Sequence, residues 1–142
     1  MSIIDTAVSA VVATLGAAPA VANVSRVRLR PVSASSSTAV VVRPVDSQVL
    51  ESSVLSSQPI TWDTRLGVEC YARAAAGQAP DVAVDALAST VYAKLMADPT
   101  LGGAVIALQP QSVAYEFDAD GESTCCATFI FNARQRVAAA TF

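Results

Sequence analysis

The chain contains no histidine among its 142 residues. This absence removes the base of Ser-His-Asp and Cys-His catalysis and the commonest nitrogen ligand of metal sites. Phosphate-binding glycine loops are also missing, because Gly102 and Gly103 lack the following Lys-Ser/Thr and the three-glycine spacing. The single lysine, Lys94, is expected on a solvated helix surface. We therefore expect a protein that is not an enzyme and that holds no cofactor or metal.

Charge is scarce as well. Charged residues make up 15% of the chain and hydrophobic residues 53%, whereas an average soluble domain has roughly 25% charged residues. So few charges cover an isolated small globule poorly, which predicts that part of the surface is buried against other subunits. The net charge of -3 argues against a general nucleic-acid binder, which should be basic.

The charges that are present separate along the chain. Arginines dominate before Pro44, whereas residues 98–122 hold five acids and no base. Regions of opposite charge favour a head-to-tail contact between subunits. The arginines could instead contact phosphate groups, or lie on the solvated face of an edge strand. The candidate contact residues are Arg26, Arg28, Arg30, Arg43, Asp118, Asp120 and Glu122.

The three cysteines form no disulfide framework. Cys125 and Cys126 are adjacent and point to opposite faces of a strand, so they should not pair, and an odd count is typical of a reduced, intracellular chain. Residues 6–25 carry no charge, but Gly16 and Pro19 make them a poor membrane helix. Asp5 lies where a signal peptide needs a base, so we expect no targeting segment.

The length of the chain predicts a single domain, residues 1–142, and the order of its predicted elements indicates class α+β. A first helix begins after the N-cap Ser2 and ends near Gly16, and a second begins at the N-cap Asp81. Strands are predicted over 25–32, 38–43, 60–73, 104–108, 112–118 and 124–134, the first two as a hairpin and the third with a bulge at Gly67. Residues 45–59 are predicted to be a long loop or arm, and 137–142 a C-terminal tail. The order indicates a mainly antiparallel sheet with two helices on one face.

Two short segments carry the clearest turn signals. At 98–105, Pro99 ends the second helix, Leu101 is placed to fold back on its last turn, and two glycines permit a tight turn. At 118–122, Asp-Gly predicts a hairpin turn. The same acids faintly resemble the start of a calcium loop, but the glycine falls one place early, so the hairpin is the favoured interpretation.

The sequence resembles the tail terminator proteins of long-tailed bacteriophages over nearly its whole length. The likeness rests on an amphipathic N-terminal helix and several short motifs, of which the Leu-Gly-Gly junction is the best. These motifs are Arg28-Leu29-Arg30-Pro31-Val32, Val41-Val42-Arg43-Pro44, the strand at 62–73 ending in Tyr71-Ala72-Arg73, the junction at 96–105, and Phe129-Ile130-Phe131. Residues 45–59 match no motif of the family.

The resemblance implies a structural protein of the virion tail or neck, assembled in the host cytoplasm. Such proteins form a hexameric ring that caps the tail tube, ends its polymerisation and presents a surface for joining the head. The implied partners are further copies of the chain, the tail tube protein and head completion proteins, with no membrane and with DNA only as cargo in the ring lumen.

Three other functions remain open from the sequence. A head-tail connector, a neck completion protein or a tube subunit would keep the chain in the virion, and a tube subunit should polymerise into long tubes. A small hydrolase or ligand-binding domain would need convergent polar groups in a pocket. A nucleic-acid binder acting through Arg26, Arg28 and Arg30 should lose affinity steeply with salt.

Overall fold

The computed structural model describes residues 1–21, 23–26, 38–51, 58–117, 124–140 and 142. The elements are α1 Ile3–Gly16, β1 Val24–Arg26, β2 Thr38–Glu51, β3 Ile60–Arg73, α2 Pro80–Met96, β4 Ala107–Phe117 and β5 Thr124–Val137. They form one five-stranded sheet in the order β1-β2-β3-β5-β4, in which β1 is parallel to β2 and all other pairs are antiparallel. The predicted α+β class is confirmed.

Both helices cover the same face of this sheet. Alternate residues of the central strands, among them Val42, Val68 and Phe131, join α1 and α2 in one buried core. The period-two alternation of the strands places the intervening residues on the other face, which we call the open face. The predicted packing of two helices on one face is confirmed, because each helix has a single apolar stripe to bury. In the described part of the chain, neither helix is both long and apolar enough to cross a membrane.

Helix α1 begins as its sequence predicts. The Ser2 hydroxyl accepts a hydrogen bond from the Asp5 backbone N–H at 3.1 Å, which satisfies one of the free donors of the first turn. Helix α2 begins differently, since its N-cap is Ala79, without a side-chain cap, and Pro80 occupies the first turn. The predicted cap at Asp81 is therefore wrong: proline suits the first helical position, which places Asp81 inside the first turn.

Three strand predictions need correction. The hairpin of 25–32 with 38–43 is wrong, because β1 lies parallel to β2, with Val24 opposite Val40. Residues 45–51 of the predicted 45–59 arm continue β2, held by pairing with β3 across a register shift between Pro44 and Asp46. Residues 27–37 and 52–57 lie outside the described residues. The bulge expected at Gly67 lies on the facing strand instead.

The C-terminal half also differs in its strand boundaries. Residues 104–106 belong to the turn, and β4 runs without interruption from Ala107 to Phe117 across a register shift between Pro110 and Ser112. Two predicted strands are thus one strand, because a bulge absorbs the irregularity that proline introduces. Val137, assigned to the tail, is the last residue of β5, and Phe142 places its ring 5.7 Å from that of Trp62.

The junction after α2 has the expected construction. Asp98 accepts hydrogen bonds from the backbone N–H groups of Thr100, at 3.1 Å, and Gly102, at 2.8 Å. Leu101 is buried in the core despite a φ of 50°, followed by Gly102 at 70° and Gly103 at 90°. The chain therefore needs three successive left-handed residues to return the leucine to the core and enter β4.

We expect Gly102→Ala and Gly103→Ala each to lower the free energy of unfolding by about 1 kcal/mol or more, because a Cβ disfavours positive φ. Open space surrounds both positions, so the cost is conformational and not steric. The measurement is urea unfolding followed by circular dichroism. Gly16→Ala is the matched control: that glycine ends α1 in open space without positive φ, and its replacement should cause no loss.

Candidate functional site

Charged side chains form clusters on the open face, of which we describe three. Arg43 donates to Glu69 at 2.7 Å, and the Tyr71 hydroxyl donates to the other Glu69 oxygen at 2.9 Å. Arg65 binds Asp46 with both arms of its guanidinium. Each of these contacts joins β2 to β3 or lies along β3, so the charges hold neighbouring strands in register.

Gly67 has a steric role in this arrangement. A Cβ built at Gly67 would lie 3.1 Å from Cζ of Arg43, because the arginine side chain crosses over the glycine toward Glu69. Such a contact is tighter than most real Cβ contacts. The glycine therefore provides the space through which the guanidinium reaches its carboxylate, and it does not mark a bulge.

The third cluster links the two central strands. Asp63 and Arg134 are directly opposite on β3 and β5, and two hydrogen bonds of 3.0 and 3.2 Å join carboxylate to guanidinium. Hydrogen bonding from Arg134, helped by Asn132, holds the pKa of Asp63 below its ordinary value, although burial acts in the opposite direction. The Asp63 side chain is only 14% exposed, so this pair is better shielded from water than an ordinary surface ion pair.

This pair predicts an acid-sensitive component of stability. Because the folded pKa of Asp63 is lowered, its stabilisation is present above the unfolded pKa, near 3.8, and is lost as pH falls through the folded value. We expect Asp63→Asn to lower stability at pH 7 and to flatten its fall below pH 4. Thermal unfolding from pH 7 to pH 3 measures this.

Part of the acid sensitivity should survive in that variant. The pKa of Asp46 is lowered by the hydrogen bond from Arg65, and that of Asp98 by Thr100 and Gly102. Asp85→Asn, on the exposed surface of α2, is the matched control. An Asp63→Asn profile that parallels the unmodified protein at every pH would contradict this role of the pair.

The predicted contact residues do not meet in one place. Arg26 lies on the helix side, where it binds Asp5 at 2.7 Å and Ser9 at 3.2 Å, both in α1. Arg43 lies on the open face and binds Glu69. Arg28, Arg30, Asp118, Asp120 and Glu122 fall outside the described residues, so the hairpin and calcium-loop interpretations of 118–122 stay predictions.

The cysteines are free and buried, as expected. Burial raises the pKa of Cys70 to about 12 and also raises those of Cys125 and Cys126, so these thiols stay protonated near neutral pH. Cys125 packs in the core under the helices, whereas Cys126 contacts Thr128 on the open face. Within the described residues, no cluster of three acidic or sulfur side chains is placed to hold a metal ion.

Lys94 lies at the surface, and its ammonium also makes contacts that the sequence does not predict. Its ammonium donates to the backbone carbonyls of Ala17 and Pro19. It therefore links the end of α2 to the segment that follows α1. Lys94 and Ala17 are 77 residues apart in the sequence. This contact is structural, and it stabilises the packing of the two helices on one another.

An exposed apolar surface lies along β4. Val113, Tyr115 and Phe117 alternate on its helix side with exposures of 42%, 49% and 55%, and Val82 of α2 is 56% exposed. Tyr115, Phe117 and Val82 line an open depression of about 410 Å³ together with Asp81 and Asp85. We call these five residues, with Val113, the β4 patch. The opposite end of the sheet also exposes apolar side chains on β2, at Val45, Val49 and Leu50.

Sequence reasoning missed both the ion pairs and the β4 patch. The charges of β3 alternate at Asp63, Arg65 and Glu69, which was a usable signal for one charged strand face. Their partners come from β2 and β5, and the sequence does not show the register. Val113, Tyr115 and Phe117 alternate with polar or small residues within the predicted strand 112–118, but only the strand order shows that β4 is an outer strand.

Comparison with known proteins finds a likeness among solved structures. No protein-family model matches the chain, and no curated protein matches it. Among solved structures, a chain from the virion of a native gene transfer agent particle is similar, with 14% sequence identity and a TM-score of 0.42. The match covers 96% of this chain and 92% of that chain.

Proposed function

We propose that this protein is a structural subunit of a phage-type virion, which forms a hexameric ring on the end of the tail tube. The ring would stop polymerisation of the tube and offer a surface for head completion proteins. The motifs shared with tail terminator proteins support this proposal, the Leu-Gly-Gly junction above all. The role is structural and involves no catalytic step.

The observation that carries the proposal is the exposure of apolar side chains at both ends of one sheet. Val113, Tyr115 and Phe117 lie on the outer strand β4, whereas Val45, Val49 and Leu50 lie toward the other side of the sheet, on the part of β2 beyond its pairing with β1. A monomer gains nothing from large apolar side chains in water at two opposite edges. A subunit with two different apolar surfaces can associate head-to-tail. Such an assembly closes into a ring when the rotation between neighbouring subunits divides a full turn.

Competitive capping is the mechanism that we favour. One surface of the ring would imitate the contact that a tube subunit makes with the tube end. The other surface would lack the contacts that template a further ring, so growth stops. The scarcity of charge in the chain agrees with extensive burial between subunits, since buried interface centres are depleted of charged residues.

The test combines light scattering after size exclusion with negative-stain microscopy, on the protein alone and with tubes of its cognate tail tube protein. We expect closed six-fold rings, at least on tube ends, and shorter tubes when the protein is added during polymerisation. Long tubes formed by the protein alone would instead indicate a tube subunit. A monomer or dimer that neither binds nor shortens tubes would contradict the proposal.

A further inference from the structure

The two outer strands of the sheet are aligned with each other through the intervening strands. Val24 of β1 pairs with Val40, and the same row continues through Cys70 and Ala127 to Tyr115 of β4. A second row begins at Arg26 and ends at Val113. Directly opposite residues project to one face, so both ends of each row lie on the helix side.

The directions of these strands also match. β1 is parallel to β2, and three antiparallel pairings follow, so β4 runs antiparallel to β1. A second copy displaced within the plane of the sheet would therefore place its β1 antiparallel to β4 of the first. Among the described strands, β4 has only β5 as a neighbour, which leaves the backbone groups on its outer side available for such pairing.

Charge decides which edge of the second copy fits. Asp81 and Asp85 are exposed beside Tyr115 and Phe117. Two β4 edges facing one another would place acids on both sides of the contact. The β1 edge instead carries Arg26, 45% exposed, which lies on the same helix side of the sheet. A guanidinium that already binds Asp5 has further donors for a second carboxylate.

We infer that β4 of one copy pairs antiparallel with β1 of the next copy, so that the sheet continues from subunit to subunit. The inference rests on the proposed ring and specifies its contact. Tyr115 then lies against Val24 of the neighbouring copy and Val113 lies against its Arg26, one strand pair away from the acids beside Tyr115. The two surfaces differ, so the contact is head-to-tail and each subunit uses both edges once.

Engineered cysteines test the pairing directly. Val24→Cys and Tyr115→Cys are made as separate variants, mixed, assembled with or without cognate tail tubes, and oxidised. Because disulfide formation needs closely opposed Cβ atoms, we expect at least about tenfold more covalent dimer from the mixture than from either variant alone. The native cysteines are buried and should contribute little.

The matched control is Glu116→Cys mixed with Val24→Cys, because Glu116 is exposed on β4 but projects to the open face. Rings that form without the 24–115 disulfide, or with as much 24–116 disulfide, would overturn this inference. The proposed function as a ring would still hold. Dimers from Tyr115→Cys alone would indicate symmetric β4 pairing and overturn it as well. Absence of any oligomer, with tubes left uncapped, would contradict both the pairing and the proposed function.

Discussion

Replacement of Phe131 with alanine is expected to lower the free energy of unfolding by about 3–5 kcal/mol, which is the usual loss for a fully buried phenylalanine. Phe131 is 0% exposed and lies in β5, between Leu66 of β3 and Pro110 of β4. Its ring is stacked 6.4 Å from Tyr92 of α2 and lies 5.6 Å from Phe129. The side chain thus joins a helix to three strands, and its removal leaves a cavity beneath α2.

The loss is large compared with the total stability of a single domain, which is about 5–15 kcal/mol. Urea unfolding followed by circular dichroism measures it. Ile130→Ala is the control on the adjacent residue, which is half-buried on the open face and should cost much less. Phe131→Leu keeps most of the apolar volume and should fall between the two. A Phe131→Ala variant as stable as the Ile130→Ala variant would show that α2 does not pack closely on this part of the core.

The second large effect concerns association and not folding. We expect Tyr115→Glu to weaken self-association by at least about thirtyfold, or ~2 kcal/mol, as for a central aromatic residue of an interface. Tyr115 is 49% exposed in the subunit, so folding should be nearly unaffected. A new carboxylate at this position would also lie close to Asp81 and Asp85 and repel them.

Sedimentation velocity over a concentration series, with and without cognate tail tubes, measures the association. The matched control is Ile106→Glu, since Ile106 is 52% exposed and lies outside the rows that end on β4. Its association should equal that of the unmodified protein. Equal weakening by both variants would point to a general effect of charge, and no weakening by Tyr115→Glu would remove the β4 patch from the subunit contact.

The comparison of the two helix starts shows where local signals suffice. Ser2 caps α1 because its hydroxyl and the first-turn N–H groups are neighbours in sequence. The turn at 98–105 is equally local, and Leu101, Gly102 and Gly103 all have positive φ there. Asp81 failed as a cap because Pro80 competes for the same turn and shifts the helix start.

The strands show where local signals end. Residues 45–51 are polar, contain valine and leucine only at intervals, and were assigned to a loop, yet they form the second half of β2. These residues form a strand because their backbone groups pair with β3, and the local sequence does not predict this pairing. The parallel pairing of β1 likewise depends on a strand partner and not on any residue of 24–26.

The sequence by itself determined the class of the fold, the two helices, the turn after α2, the free thiols and the lack of a histidine-based site, because these depend on composition or on neighbours a few residues apart. Tertiary structure alone decided the strand order, the register and therefore which charges pair. Asp63 meets Arg134 across 71 residues, and Tyr115 becomes an edge residue only because β5 enters the sheet between β3 and β4. Pairing between distant strands reflects the packing free energy of the whole sheet, which no short window of sequence contains.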